Sequence, residues 1–276
     1  DLISYSPARV AKGDNSANVV ERAIEYWNGD EGKRGIVTLC WHWCPAARYD
    51  KSKSDPWGTF YTDKTKFNLA RALNGSDPDG YQMLLDDIDA IAVQLKRLQD
   101  ADVPVLWRPL HEASGGWFWW GASGADAYLQ LYKLMYDRLT NVHGLNNLIW
   151  VWNGQNAAWY PGDEYVDIIG EDIYPGKHVY TSQAARFIKA LSYTDTRKLI
   201  TLSENGCIPD PEQLVRDNIM WSYWCVWEGE FVLKAAGFNN YSEQYTEKNM
   251  LKKAYKSDTV ITRKELPDLR NYPLGD

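Results

Sequence analysis

Seven short apolar runs, set apart by longer stretches with helical spacing, leave few folds open to this chain. They are Leu2–Tyr5, Ile36–Trp41, Val103–Pro109, Leu148–Trp152, Val166–Ile173, Leu199–Ser203 and Trp221–Trp227. Strands that read as nearly continuous apolar runs and alternate with helices belong to a parallel sheet buried on both faces. The helical spacing is clearest at Leu84, Ile88, Ile91, Leu95 and Leu98, which share one helix face. Asp210 before Pro211 reads as an N-cap and first helical position, and Ser123 with Asp126 resembles a capping box ahead of Tyr128 and Leu131. The expected fold is therefore α/β, a (β/α)8 TIM barrel in which seven strands are visible and the first strand precedes Asp1, with a different closure of the sheet as the open alternative. A length of 276 residues with 45% hydrophobic content suits one core, so residues 1–276 are read as a single catalytic domain.

Charge narrows the partners. The chain is mildly acidic, with a formal net charge of −7, and no basic stripe interleaves with its aromatics, so nucleic acid is not an expected partner. No apolar run reaches the roughly twenty residues of a membrane span, and no signal segment opens the chain. Cys40, Cys44, Cys207 and Cys225 make neither a metal-type pair of pairs nor a dense disulfide framework; Cys40 and Cys44 either bridge locally or remain buried thiols. The most unusual feature is 14 Trp and 18 Tyr against 6 Phe, a bias toward rings with a flat apolar face and a polar edge. Such faces suit sugars, although most of the fourteen indoles are expected in the core.

The runs end in groups that a buried strand has no use for. Ile36–Trp41 leads into His42 and Trp43, Val103–Pro109 into His111 and Glu112, and Leu148–Trp152 into Asn153 and Gln155. Val166–Ile173 holds Glu171 and Asp172 and runs into Tyr174, Leu199–Ser203 leads into Glu204 and Asn205, and Trp221–Trp227 into Glu228. In a parallel barrel these ends share the face on which sites are built. Glu112 and Glu204, on different strands, offer the pair that glycoside hydrolysis needs: one carboxylic acid protonates the departing oxygen, and the other carboxylate attacks the anomeric carbon. The long stretch from Pro45 to Gly80, rich in Asp, Lys, Gly and aromatics, reads as an excursion that adds to the same face.

The segment Arg108-Pro109-Leu110-His111-Glu112-Ala113-Ser114-Gly115-Gly116-Trp117-Phe118-Trp119-Trp120-Gly121 closely resembles the acid/base segment of glycoside hydrolase family 26, retaining barrels dominated by β-mannanases. Ala113 and Ser114 stand where many members carry Met and Asn. Ile200-Thr201-Leu202-Ser203-Glu204-Asn205-Gly206 is similar to the family's nucleophile strand. The resemblance covers essentially the whole chain, from Asp1-Leu2-Ile3 to Glu265-Leu266-Pro267. It implies that Glu112 is the acid/base and Glu204 the nucleophile. It further implies that His42 lies near the −1 sugar, that Asp172 and Tyr174 form the segment beside the nucleophile, and that Trp227 is the platform beneath the −1 sugar.

Each residue also has a plainer reading. Arg108 either pairs with a site carboxylate or forms a structural salt bridge. His111 either orients the acid or contacts the nucleophile; a zinc protease would need His-Glu-Xaa-Xaa-His, which Ala113, Ser114 and Gly115 do not continue. Trp117 is read as a sugar platform, with Trp119 and Trp120 packing the loop, while Trp57, Phe60 and Tyr61 either line distant subsites or pin the excursion. Asp77, Asp79 and Gly80 lack the bidentate Glu of a calcium loop and read as a solvated turn. No metal and no cofactor is expected. The resemblance implies a secreted, monomeric endo-β-1,4-mannanase acting on β-mannan polysaccharide or manno-oligosaccharides, galactomannan and glucomannan included. A β-1,3-1,4-glucanase or β-xylanase of the same family, and a catalytically silent carbohydrate-binding barrel, remain open alternatives.

Overall fold

The computed structural model describes residues 1–29, 34–52, 55–234, 240–269 and 271–272. The chain forms two compact units, Asp1–Asp167 and Ile168–Asp276. The first contains, in order, α1 (Pro7–Ala11), α2 (Val19–Asn28), β1 (Val37–Cys40), α3 (Leu69–Leu73), α4 (Pro78–Asp100), β2 (Val105–Arg108), α5 (Ala125–Asp137) and β3 (Leu148–Trp152). Its three strands are parallel, with Val37 opposite Val105, Cys40 opposite Arg108 and Trp107 opposite Trp150. The second unit contains β4 (Ile168–Ile173), α6 (Ala184–Leu191), β5 (Leu199–Asn205), α7 (Pro211–Asp217), β6 (Trp224–Val226) and α8 (Lys248–Tyr255), again with parallel strands.

Local chemistry sets the element ends. Asp77 caps α4 by accepting from the Gly80 N–H at 3.0 Å, with Pro78 as the first helical residue, and its other oxygen accepts from the Tyr49 hydroxyl. This is the Asp77 turn weighed above as a calcium loop. Leu84, Ile88, Ile91, Leu95 and Leu98 are all buried on α4, as their spacing requires, and each contributes about 1.5–3 kcal/mol of burial. Asp210 caps α7 through the Glu212 N–H.

Two expectations are corrected. The run Leu2–Tyr5 is not a strand: Ile3–Tyr5 is a 3-10 turn that leads through Ser6 into Pro7 at the start of α1. Among the described residues its tie to β1 is one ladder-like bond, from the Leu2 N–H to the Cys40 carbonyl at 2.9 Å. The remaining six runs are strands. Ser123 does not cap α5; Gly124, at φ 87°, is the N-cap, and the Ser123 hydroxyl accepts instead from the Ala70 N–H of α3. All four cysteines are free thiols, which settles the open Cys40–Cys44 question.

Candidate active site

In the first unit, indoles are the scaffold behind the strand ends. Trp41 and Trp43, two apart and therefore on one face, stack at 4.3 Å. The Trp43 N–H donates to the Asp87 carboxylate of α4 at 2.6 Å, the Trp119 N–H to the Trp43 carbonyl at 2.7 Å, and the Trp120 N–H to the His111 carbonyl at 2.8 Å. A buried chain of indoles thus runs from the interior of α4 to the loop carrying Glu112. Asp87 is buried with no ion-pair partner among the described residues, and desolvation pushes its carboxyl up to about 7 against the opposing Trp43 bond and the Arg48 charge.

The loop after β2 is strained. Leu110 at φ 51° and Glu112 at φ 54° both occupy the left-handed region, which costs a residue with a side chain about 1–3 kcal/mol. Asn153, just past β3, anchors it: the Glu112 N–H donates to the Asn153 carbonyl at 2.7 Å and also lies 3.0 Å from its side-chain oxygen. Arg108, buried, donates to that same side-chain oxygen at 3.5 Å. The carboxylate of Glu112 is half-buried and accepts from the Trp117 N–H at 2.9 Å. Trp117 is 47% exposed, and its ring lies over Gly115, where an added Cβ would sit 2.1 Å from the indole. Gly121 is equally constrained, since a Cβ there would meet the Ala113 carbonyl at 1.9 Å. These contacts account for Gly115 and Gly121, and the positive φ of 72° accounts for Gly116.

His42 and His111 are buried against one another, Nε2 to Nε2 at 3.2 Å, and the Asp1 carboxylate holds His42 Nδ1. Burial, reinforced by the positive charge of Arg108, holds the His111 pKa well below the usual imidazole range. Trp57 is part-exposed in a 3-10 turn, with the Arg9 guanidinium 4.7 Å over its ring; Tyr61 stacks on Phe118, and Phe60 meets the His42 edge. Trp119 and Trp120 are buried and pack the loop.

In the second unit, Glu204 lies inside β5 and is 5% exposed. The β4–β5 register slips by one residue, so that Glu171 faces Leu202 and Asp172 faces Glu204, leaving Ser203 as the extra residue of a bulge. The Ser203 hydroxyl donates to Asp172 at 2.7 Å, and the Tyr174 hydroxyl donates to Glu204 Oε1. Tyr174 is half-exposed and meets Phe231 edge-on at 5.3 Å. Trp227 follows β6, half-buried, with its main-chain N–H on the Asn205 carbonyl. Glu171, fully buried, is held by Arg186 and by the Tyr193 hydroxyl at 2.8 Å, which ties β4 to the helix that follows it.

Within the first unit the structure brings together His42, Arg108, His111, Glu112 and Trp117, and within the second Asp172, Tyr174 and Glu204. The sequence reading missed Asp1, and it noted Asn153 without giving it a role. The place of Asn153 directly after β3 marked its position but not its role, and Asp1, ahead of a 3-10 turn, carried no such mark.

Six parallel strands in βα succession, ending in carboxylates, imidazoles and indoles, are those of a partial (β/α)8 barrel. The family model described as Glycosyl hydrolase family 26 matches residues 1–265, and the chain belongs to that family. It is 45% identical over 267 residues to the mannan endo-1,4-β-mannosidase of Thermothelomyces thermophilus, covering 96% of this chain and 52% of that protein. Among solved structures it is similar to the Podospora anserina GH26-CBM35 β-(1,4)-mannanase, at 40% identity and a TM-score of 0.86, covering 96% of this chain and 56% of the other. A β-mannanase from a symbiotic protist of the termite Reticulitermes speratus, complexed with gluco-manno-oligosaccharide, matches at 36% identity and a TM-score of 0.75, covering 91% and 72%. The chain thus spans about half the length of the first two of these relatives.

Proposed function

We propose that residues 1–276 act as one catalytic domain that hydrolyses internal β-1,4-mannosidic linkages with retention of configuration, as a secreted monomer acting on mannan, galactomannan or glucomannan. The observation that carries this reading is that Glu112 and Glu204, each at a C-terminal strand end, are each held by a dedicated donor, the Trp117 N–H and the Tyr174 hydroxyl. The names of the relatives support the substrate class, and the gluco-manno-oligosaccharide bound by the termite-symbiont enzyme supports tolerance of glucose units. No helix among the described residues is long and apolar enough to cross a membrane.

In this reading Glu204 attacks the anomeric carbon while Glu112 protonates the departing oxygen, giving a glycosyl ester on Glu204. Glu112, now a carboxylate, takes a proton from the water that cleaves the ester. Retention requires the two carboxyl groups about 5–5.5 Å apart. Tyr174 fixes the rotamer of the nucleophile and Trp117 that of the acid. His42, Arg108, His111, Asp172, Trp117, Tyr174, Trp227 and Trp57 are assigned to substrate binding, and the two carboxylates complete the chemistry without cofactor or metal. The test is proton NMR of mannopentaose during early hydrolysis, with lichenan and xylan assayed in parallel. The β-anomer should form first, and mannan should be the preferred substrate. An α-anomer formed first would overturn the mechanism, and faster release from lichenan or xylan would overturn the substrate.

A further inference from the structure

Proton counting along three side chains of the first unit fixes more than their positions. Asp1 Oδ1 accepts from the main-chain N–H groups of Ile3 at 3.0 Å and His42 at 3.1 Å, which turns Oδ2 onto His42 Nδ1. An ionised carboxylate accepts and never donates, so neutral His42 carries its proton on Nδ1 and presents a lone pair at Nε2. That lone pair faces His111 Nε2 at 3.2 Å, with the ring planes at 82°. Two lone pairs do not meet at hydrogen-bond distance, so the proton between the rings belongs to His111. Burial beside Arg108 keeps His111 neutral, which leaves it one ring proton, already committed to Nε2. His111 Nδ1 is then a bare acceptor. It is buried and has no hydrogen-bond partner, although an unpaired buried acceptor costs about 1–3 kcal/mol.

We propose that Asp1, His42 and His111 form a tautomer relay in which Asp1 is a positioning residue that sets the protonation of both rings and holds His111 Nδ1 as an acceptor for a hydroxyl donor. The carbohydrate reading enters in one place, as the source of that hydroxyl. With both rings neutral, the tautomers follow from the hydrogen bonds. The relay also gives a use to Asp1, which the double-displacement chemistry does not otherwise employ.

The experiment is long-range nitrogen–proton correlation NMR on the histidine-labelled chain without ligand. It should show His42 as the Nδ1–H tautomer and His111 as the Nε2–H tautomer. Asp1→Ala should abolish the single-tautomer pattern at His111 and lower kcat about tenfold, the effect of roughly one lost hydrogen bond. Asp1→Asn, whose oxygen keeps the two main-chain N–H groups and whose NH2 then donates to His42 Nδ1, should invert the pattern, with the proton on Nε2 of His42 and on Nδ1 of His111, which loss of folding alone would not. In Glu204→Ala chain, saturating mannotriose should move the His111 Nδ1 resonance in the direction of an accepted hydrogen bond. Protonation of His111 at Nδ1 in the unsubstituted chain, or an unchanged tautomer in Asp1→Ala or Asp1→Asn, would overturn the relay. An unmoved Nδ1 resonance with mannotriose bound would overturn its role as the hydroxyl acceptor. If the tautomers hold and mannan is not cleaved, the relay stands and the proposed activity falls.

Discussion

Glu112 and Glu204 are held in opposite ways. Glu204 is part of a strand: its backbone is fixed by the β4–β5 ladder, its carboxylate is buried, and a bulge at Ser203 sets where it points. Glu112 sits on a strained turn, half-buried, and depends on Asn153 for its backbone and on an exposed indole for its carboxylate. A nucleophile needs one unchanging direction of attack, which a ladder supplies. A group that first gives a proton to one oxygen and later takes one from another gains from a loop, provided that something holds it. On the proposed roles, the contrast matches each carboxylate to its task.

The largest test removes each carboxylate. Glu204→Ala should abolish turnover with the fold intact, as read by circular dichroism. Glu112→Ala should lower activity on mannan by about 10²–10⁴-fold, yet spare aryl mannosides with good leaving groups, which need no protonation. Full activity of Glu112→Ala on mannan would end the assignment. Next come the two donors. Trp117→Phe and Tyr174→Phe each delete a hydrogen bond to a carboxylate and should reduce kcat by roughly 10–100-fold. If strand burial does hold Glu204 the more firmly, the Tyr174 variant should lose less. A larger loss at Tyr174 would reverse the comparison.

The smallest test reaches behind Glu112. Asp87 keeps its proton up to about pH 7 in the folded chain but releases it near 3.8 when unfolded. Between those values the native state binds more protons, so stability falls as pH rises through the window, by roughly 4 kcal/mol at most. Asp87→Asn retains an acceptor for Trp43 and does not ionise. Its melting temperature should exceed that of the parent by several degrees at pH 8 and match it near pH 4. Equal melting at both values would show that Asp87 does not resist ionisation. Glu171, the buried carboxyl of the second unit, is held by Arg186 and Tyr193 instead.

Much of this was legible in the chain. Six of the seven apolar runs are strands because a strand buried on both faces has little choice of residue, and Glu112 and Glu204 stood out as charges at the ends of such runs. Leu2–Tyr5 misled because its apolar pattern is short enough to suit a 3-10 turn, with Pro7 starting a helix directly behind it. Ser123 misled because Gly124 can adopt the positive φ that turns the chain into α5, which frees the Ser123 hydroxyl for α3. The roles of Asn153 and Asp1 were not legible, since each acts on a residue about forty positions away. The Ser203 bulge left no trace in composition, because it is a property of strand pairing.

The left-handed backbone at Leu110 and Glu112 bears on how such a chain can be improved. Glycine at position 110 would relieve a conformational penalty of about 1–3 kcal/mol, but it would also remove a fully buried leucine side chain, which costs about 2–5 kcal/mol. It would let the turn that carries Glu112 wander as well. Neither durability nor precision is gained at this turn, and gains in heat tolerance are better sought elsewhere, at positions such as Asp87.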